Sequence, residues 1–334
     1  MKRSKQSILG AALLASSLLL AACGTDTSGD SSPKAAGKEG AVEIGITQIV
    51  SHPSLDAARE GFKEALADGG YVEGEDVTYD EQNAQGDQAT ATSIASKFAT
   101  DGKDLVLAIA TPTAQAAAQA ITDTPIVITA VTDPVEAGLV DSLEKPGGNI
   151  TGTSDKNPVE EQLGLLKELR PDAKTVGIVY SSGEVNSQVQ VDMAKEAAKS
   201  LGLEIEVATI TTSGEVQQAA QSLDVDAFYV PTDNAVVSAL ESLIQVAETK
   251  QVPVIAAEGD SVERGGVATY GIDYTELGRQ TGEMAIKILK GADPATMPIE
   301  TQKTLKLVVN PAAAERMGVT IPQAMLDRAD TVVK

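Results

Sequence analysis

Polar side chains follow the apolar segments of this chain at many of the points where a strand is predicted to end. They comprise Gln48, His52, Thr111, Thr113, Thr132, Asp133, Ser154, Asp155, Tyr180, Thr232, Asp233, Asn234 and Glu258. Carboxylates among them could bind a ligand ammonium group, and hydroxyls at helix starts could help to bind a ligand carboxylate. Because ligands of open α/β sheets lie at the carboxyl ends of the strands, we take this set as the candidate ligand-binding residues.

Two of these segments stand at the predicted start of a helix. Thr111 and Thr113 open an alanine-rich helix, whose first N–H groups and dipole favour an anion such as a ligand carboxylate. The alternative is a plain N-cap, which contributes about 1 kcal/mol and needs no ligand. Asp233 presents a similar choice between an N-cap and a partner for a ligand ammonium. The residues alone leave both choices open.

Signatures of catalysis or metal binding are absent from the sequence. His52 is the only histidine, it precedes a proline, and no second histidine can join it around a metal. No G-x-G-x-x-G follows the first predicted strand, and the sequence lacks G-x-x-x-x-G-K-[ST] and G-x-S-x-G. We therefore predict no enzyme, no metal and no cofactor, although the many acidic residues leave a carboxylate-only enzyme open. Tyr180 is either an aromatic wall of a cleft or ordinary half-buried packing.

Strand and helix signals alternate along two stretches of similar pattern. The apolar segments at 42–46, 105–109 and 125–128 are echoed at 176–179, 227–230 and 253–256. This alternation predicts an α/β fold of two Rossmann-like lobes, each a parallel sheet with helices on both faces. One strand–helix unit is left over at 267–290, which indicates that the chain crosses between the lobes more than once. With 3% aromatic residues and no tryptophan, the cores must consist of small and branched aliphatic residues.

The predicted segments divide the chain into four parts. Residues 1–22 are expected to be a lipoprotein signal peptide and residues 23–40 a flexible, Gly/Ser-rich tether. The first lobe is predicted to comprise 41–153 plus 275–302, and the second lobe 154–274 plus 303–334. The two lobes would then be joined by three crossovers.

The N-terminal sequence ends its apolar run in Leu20-Ala21-Ala22-Cys23, after basic residues at positions 2, 3 and 5. A basic start, a short apolar run and small residues before a cleavage point are typical of a secretory signal. We expect lipidation (palmitate included) at Cys23, which would anchor the protein to the cell membrane on its extracytoplasmic face. The alternative is an ordinary signal peptide with an incidental cysteine.

The overall charge narrows the range of partners. The chain carries 26 basic and 48 acidic side chains, a net charge of −22. Such a surface repels nucleic acid and anionic lipid headgroups, so we expect no nucleic-acid partner and a membrane link through lipid alone.

Several short motifs together resemble a known family. They are AVTDPV at 130–135, VPTDN at 230–234, ATYGIDY at 268–274, SHPSLDA at 51–57 and GVTIP at 318–322. They are similar to the ABC-transporter substrate-binding lipoproteins of the tryptophan/tyrosine uptake type, across residues 41–330. The resemblance implies a type I periplasmic-binding fold with a hinge between its lobes. It also implies a monomer that delivers a small solute, such as tryptophan or tyrosine, to ABC permease and ATPase subunits.

The resemblance gives the candidate acids a role, because an amino acid carries an ammonium group. Asp133, Asp155, Asp233 and Glu258 are the possible partners, and we favour Asp155 and Asp233. Two other functions stay open: a lipoprotein that senses a ligand for a signalling partner, and a binding protein for a different small solute.

Overall fold

The computed structural model describes residues 40–302 and 304–334. The predicted signal peptide, Cys23 and all of the tether except its last residue lie outside the described residues. Within them, none of the helices combines the length and the apolar character that crossing a membrane requires.

The strands of the described part follow the predicted alternation. In chain order they are β1 (Val42–Gln48), β2 (Val77–Asn83), β3 (Leu105–Ile109), β4 (Ile126–Val131), β5 (Ile150–Ser154), β6 (Thr175–Ser181), β7 (Glu204–Ile210), β8 (Ala227–Val230), β9 (Val254–Ala256), β10 (Ala268–Gly271), β11 (Glu300–Thr301), β12 (Lys306–Val309) and β13 (Thr331–Val332).

The helices lie between these strands. They are α1 (Pro53–Asp68), α2 (Gln88–Asp101), α3 (Thr111–Ala120), α4 (Val159–Leu169), α5 (Val185–Leu201), α6 (Val216–Ser222), α7 (Asn234–Ser238), α8 (Leu240–Lys250), α9 (Gly259–Glu263), α10 (Tyr274–Leu289), α11 (Pro311–Arg316) and α12 (Gln323–Arg328). Two single-turn 3₁₀ helices lie at Ser213–Glu215 and Pro294–Thr296.

The strands form two separate sheets, which confirms the two-lobed α/β fold. The first sheet has the order β11-β5-β4-β3-β1-β2, and all its strand pairs are parallel. The second has the order β13-β12-β10-β9-β8-β6-β7. In the first sheet β2 is the edge strand and β1 lies beside it. In the second sheet β7 is the edge strand and β6 lies beside it, so both sheets begin in the manner of doubly wound folds.

One strand pair departs from the all-parallel prediction. Strand β12 runs antiparallel to β10, with Ala268 opposite Val309. The chain reaches β12 from the first sheet, directly after β11, instead of through a helix of the second lobe. It therefore enters the second sheet from the opposite end.

Aliphatic side chains build a large core in each lobe, as the composition predicts, and a third, small cluster of Ala256, Val262 and Val308 lies in the second lobe. All five residues of β3 are fully buried, because helices cover both faces of its sheet. Phe62 and Phe98 are buried in the first core and Phe228 and Tyr229 in the second.

Helix α10 is fixed to the first lobe through a close contact with α1. A Cβ atom at Gly278 would lie 2.0 Å from the backbone oxygen of Ala58, and one at Gly61 would lie 2.1 Å from that of Thr275. Only glycine permits this approach. The contact holds the start of α10, and with it Tyr274, against the first lobe.

The chain passes between the sheets after β5, after β10 and after β11. Side-chain contacts join the segment after β10 to the segment after β11. Gln302 accepts a hydrogen bond from the Asp273 amide at 2.8 Å and donates to the Asp273 carbonyl at 3.0 Å. Lys306 pairs with the Asp273 carboxylate at 2.7 Å.

Candidate ligand-binding site

A narrow cavity, in which the space open to the centre of a water-sized sphere is about 10 Å³, lies where the carboxyl ends of strands from both sheets meet. Its lining consists of His52, Ser54, Leu55, Ala130, Asp155, Thr232, Asn234, Val237, Glu258 and Tyr274. Residues of both lobes contribute, so the cavity belongs to the cleft between them. Five of the predicted candidates are among these residues: His52, Asp155, Thr232, Asn234 and Glu258.

Asp155 is the buried acid of this cavity that directly follows β5 of the first sheet. It is 2% exposed, and its carboxylate accepts hydrogen bonds from the Tyr274 hydroxyl at 2.5 Å and from Thr132 Oγ1 at 3.2 Å. Burial raises the pKa of Asp155, and the two hydroxyl donors only partly oppose this rise. Among residues 40–302 and 304–334, no lysine or arginine forms an ion pair with it. A buried carboxylate without a cation favours a cationic ligand group.

Glu258 is a second buried acid facing the same cavity. It is 2% exposed, caps α9, and accepts a hydrogen bond from the Ser261 amide at 3.1 Å. Burial, followed by the charge of Asp260, raises its pKa to about 7. Burial disfavours the ionised form of both acids, and an ammonium group bound beside them would favour it.

The start of α1 supplies hydrogen-bond donors to the cavity. His52 caps the helix in extended conformation and Pro53 occupies the first helical position. Burial, followed by the charge of Arg264, lowers the pKa of His52 to about 4, so its imidazole is neutral at pH 7. Among the described residues, His52 Nδ1 and Ser54 Oγ are buried without a hydrogen bond of normal geometry, but His52 lies beside the Asn234 side chain and Ser54 beside the carboxylates of Glu258 and Asp260. The start of α1 favours an anion through its dipole and its first N–H groups.

Strained backbone borders the cleft at the ends of two neighbouring strands. Ala110, directly after β3, has φ of 79°, and Ala130, in β4, has φ of 55°. Ala130 also lies where the register of β4 and β5 shifts between Ile128 and Val131, and it lines the cavity. Positive φ angles are rare for alanine, and such strain is concentrated at ligand sites.

Asp233 was predicted to bind the ammonium group of the ligand, but the structure gives it a different role. Its carboxylate is fully buried and accepts from the Ser181 amide at 2.5 Å, Ser187 Oγ at 2.7 Å and the Val236 amide at 2.8 Å. These donors all belong to the second lobe and leave little capacity for a ligand. Asp233 therefore caps α7 and joins it to β6 and α5, and Asp155 is the better candidate.

The flanking residues of Asp233 do reach the cavity. Thr232 Oγ1 accepts from Gln190 Nε2 at 2.7 Å, and the Thr232 amide donates to Gln190 Oε1 at 3.0 Å. Asn234 is held by the Glu184 carboxylate, which accepts from its backbone amide at 3.2 Å and from its side-chain amide. Burial, followed by the charge of Asp233, raises the pKa of Glu184 to about 7.

Two more predicted residues support Asp155 from outside the cavity lining. Thr132 donates to Asp155, and its hydroxyl lies 3.4 Å from that of Thr232 across the cleft. Ser154 Oγ donates to the Thr132 carbonyl at 2.9 Å. Ser154 thus positions the loop that carries Thr132.

Asp133 and Gln48 do not line the cavity. Asp133 pairs with Lys156 at 3.0 Å and caps the turn at Val135 and Glu136. Burial alone would raise its pKa, but Lys156 and these backbone amides hold it below its usual value. Gln48 donates to the Asp56 carboxylate at 2.7 Å and to the Val50 carbonyl at 2.8 Å. The side chains of both residues therefore already have partners outside the cavity lining.

Tyr180 and Thr113 are likewise used inside their own lobes. Tyr180 is packed in the second core and donates to Gln188 at 3.2 Å, so it is not the predicted aromatic wall. Thr113 Oγ1 donates back to the Ile109 carbonyl at 2.5 Å. Thr111 Oγ1, in contrast, is buried without a partner at the start of α3, although it is not among the cavity-lining residues.

The sequence reasoning missed Ser54, Tyr274 and Asn157. Ser54 lies just after the loop that follows the first predicted strand, and Tyr274 ends the predicted strand at 267–274, but neither is among the candidate residues. Asn157 is 2% exposed and both polar atoms of its side chain lack partners, two residues after Asp155. An orphaned buried amide next to the site was the available signal, and it is visible only in the folded chain.

Comparison with known proteins identifies relatives of this architecture. Residues 43–333 match the family model described as ABC transporter substrate binding protein. A tyrosine-binding protein of Clostridioides difficile (strain R20291) is 50% identical over 269 residues, which is 80% of this chain and 78% of that protein.

Two solved structures are informative about the cleft. The structure of an ABC domain in complex with L-Trp from Streptococcus pneumoniae has a TM-score of 0.85 at 39% identity, covering 88% of this chain and 100% of that one. The ligand-free, open structure of a substrate-binding protein with adhesive properties from Clostridium difficile has a TM-score of 0.67 at 49% identity, covering 88% and 99%. The lower score at higher identity indicates a different arrangement of the lobes, in keeping with the Thr132–Thr232 contact across the cleft. The chain belongs to the family of ABC transporter substrate-binding proteins.

Proposed function

We propose that this protein binds an aromatic amino acid, tryptophan or tyrosine, between its lobes and delivers it to the permease of an ABC importer. The tyrosine-binding relative and the L-Trp complex support this ligand class. The observation that carries the proposal is the Asp155 carboxylate, which is buried in the interlobe cavity and accepts hydrogen bonds from two hydroxyl groups.

The ammonium group of the solute would bind Asp155, with Glu258 as the second acid. A charge-assisted hydrogen bond of this kind is about twice as strong as a neutral one and compensates for desolvation of the ammonium. The solute carboxylate would bind at the start of α1, where the helix dipole and the first backbone N–H groups favour an anion. Neutral His52 fits between these charges because it adds no charge of its own.

Binding would be coupled to closure of the two lobes. The solute contacts residues of both lobes only when the cleft is closed, so it shifts the population toward the closed form. The permease would then recognise that form. We place the moving parts at 41–153 plus 275–302 and at 154–274 plus 303–334, which is the division drawn from the sequence.

The same proposal includes the mode of attachment. Residues 1–22 would be removed, Cys23 would be lipidated and residues 24–40 would tether a monomeric receptor to the extracytoplasmic face of the cell membrane. The lipobox sequence and the basic N-terminus support this part.

Calorimetric titration of the purified protein with L-tryptophan and L-tyrosine tests the ligand assignment. We expect binding by the unsubstituted protein and a loss of roughly 30-fold or more in Asp155→Asn, because removal of a buried charge partner costs at least about 2 kcal/mol. Asp133→Asn is the matched control, since Asp133 is an acid of a neighbouring loop already paired with Lys156. Absence of heat with both amino acids, or equal affinities of the Asp155→Asn and unsubstituted proteins, would refute the assignment.

A further inference from the structure

A chain of hydrogen bonds connects the two lobes through two threonine hydroxyls. It begins at Gln190 in α5, passes through Thr232 Oγ1 and Thr132 Oγ1, and ends at Asp155. The distances along it are 2.7, 3.4 and 3.2 Å. The middle step is a direct polar contact between the lobes beside the candidate site.

The groups at the two ends of this chain, Gln190 and Asp155, determine which atom donates in each hydrogen bond. An ionised Asp155 can only accept, so Thr132 must use its single hydroxyl proton toward Asp155. Thr132 Oγ1 has no proton left for Thr232, so it must accept a hydrogen bond from Thr232 Oγ1. Thr232 thereby uses its own hydroxyl proton. Thr232 Oγ1 is free to accept from Gln190, and the orientation of the Gln190 amide is set by its second bond, from the Thr232 backbone amide at 3.0 Å.

We propose that Thr132 and Thr232 form a one-way hydroxyl relay that couples the ionised state of Asp155 to closure of the lobes. The inference rests on the proposed function, because the solute ammonium is what keeps Asp155 ionised. An ionised Asp155 orders all the hydroxyl protons in one direction and strengthens the contact across the cleft. A neutral Asp155 could donate a proton to Thr132, and the order would be lost. Thr132 and Thr232 are thus positioning residues that report the charge of the ligand to the opposite lobe.

The relay exists only in the closed form, which gives it a kinetic signature. Loss of the Thr232 hydroxyl should speed solute dissociation and leave association unchanged, since association starts from open lobes. The Thr153–Thr281 pair offers a matched control. Its hydroxyls lie 2.8 Å apart and buried, but both belong to the first lobe.

Stopped-flow kinetics with L-tryptophan and L-tyrosine on the full chain provide the test. We expect the dissociation rate constant to rise roughly three- to tenfold in Thr232→Val, the range of one net hydrogen bond. Thr232→Ser, which restores the hydroxyl, should return it close to the original value, and Thr281→Val should leave it unchanged. Thr232→Val also takes the acceptor from the buried Gln190 Nε2 inside the second lobe, so its melting temperature without solute should fall. The relay is therefore read from the dissociation rate constant, with the association rate constant unchanged.

The possible failures are distinguishable. If the unsubstituted protein binds neither amino acid, the proposed function fails and the relay fails with it. If it binds but Thr232→Val dissociates at the original rate, the relay alone is refuted. Equal acceleration in Thr232→Val and Thr232→Ser would also refute the relay, because the effect would then not depend on the hydroxyl.

Discussion

At the scale of single residues, the site is defined by which buried acids already have partners. Asp155 and Asp233 have the same side chain, both are buried, and both follow a strand. Asp233 receives three hydrogen bonds from its own lobe, two of them from backbone amides, whereas Asp155 receives two from hydroxyls at the cavity. The hydrogen bonds of Asp233 therefore stabilise the fold, whereas the Asp155 carboxylate can still bind a cationic group of a ligand.

Asp233→Asn should therefore affect stability more than solute binding. The amide nitrogen would face either the Val236 amide or both the Ser181 amide and the Ser187 hydroxyl, and losing one such bond to a charged acceptor costs about 2 kcal/mol. Urea unfolding measures the loss, and calorimetry at a temperature where the variant is folded measures binding. An unchanged stability with abolished binding would instead assign the ammonium to Asp233.

Solute affinity should depend on pH through Glu258. Its pKa in the fold is about 7, above its ordinary value of 4.5, because of burial and the charge of Asp260. The unliganded fold therefore favours the protonated acid, so this group lowers stability as pH rises from about 4.5 to 7. A bound ammonium favours the ionised acid, so affinity should rise over pH 6 to 8 with release of a proton.

Calorimetry in buffers of different ionisation enthalpy measures that proton release. Glu258→Gln should abolish most of the release. His52 contributes little in this range, because its pKa of about 4 keeps it neutral at pH 6 to 8. A proton count of zero in the unsubstituted protein at pH 7 would contradict the assignment of Glu258 as the second acid.

At the scale of elements, the site depends on a helix that enters the first lobe from the second sheet. Tyr274 is the first residue of α10, and the contact of α10 with α1 determines where its hydroxyl meets Asp155. The N-cap of α1, His52, and its second residue, Ser54, both line the cavity. The two helices thus place the Tyr274 hydroxyl and the start of α1 around a single carboxylate.

Gly278→Ala should disturb this arrangement. The new Cβ would overlap the backbone oxygen of Ala58, which cannot move without shifting α1, so we expect a loss of about 1–3 kcal/mol in the free energy of unfolding. Gly164→Ala is the control, because Gly164 lies within α4 with open space around its Cβ position and should be neutral or slightly stabilised. Equal stability of both variants in urea unfolding would show that the α1–α10 contact is less tight than described.

At the scale of the whole molecule, periodicity predicted the two lobes and the strand ends because both follow from local apolar patterns. It could not predict which acid is free, since the partners of Asp233 lie about 50 residues away in sequence, at Ser181 and Ser187. Nor could it place Tyr274 beside Asp155, which requires the second passage of the chain between sheets. Strand β12 ran against the predicted direction for the same reason, because its orientation depends on the path through the first lobe.

The central claim is that Asp155 holds the ammonium group of an amino acid between the lobes. A crystal structure of the protein with L-tryptophan tests it most directly. We predict the ligand nitrogen at about 2.7–2.9 Å from an Asp155 carboxylate oxygen, with the ligand carboxylate at the start of α1. A ligand whose ammonium contacts Asp233 or solvent, and leaves Asp155 with its hydroxyl partners alone, would contradict the account.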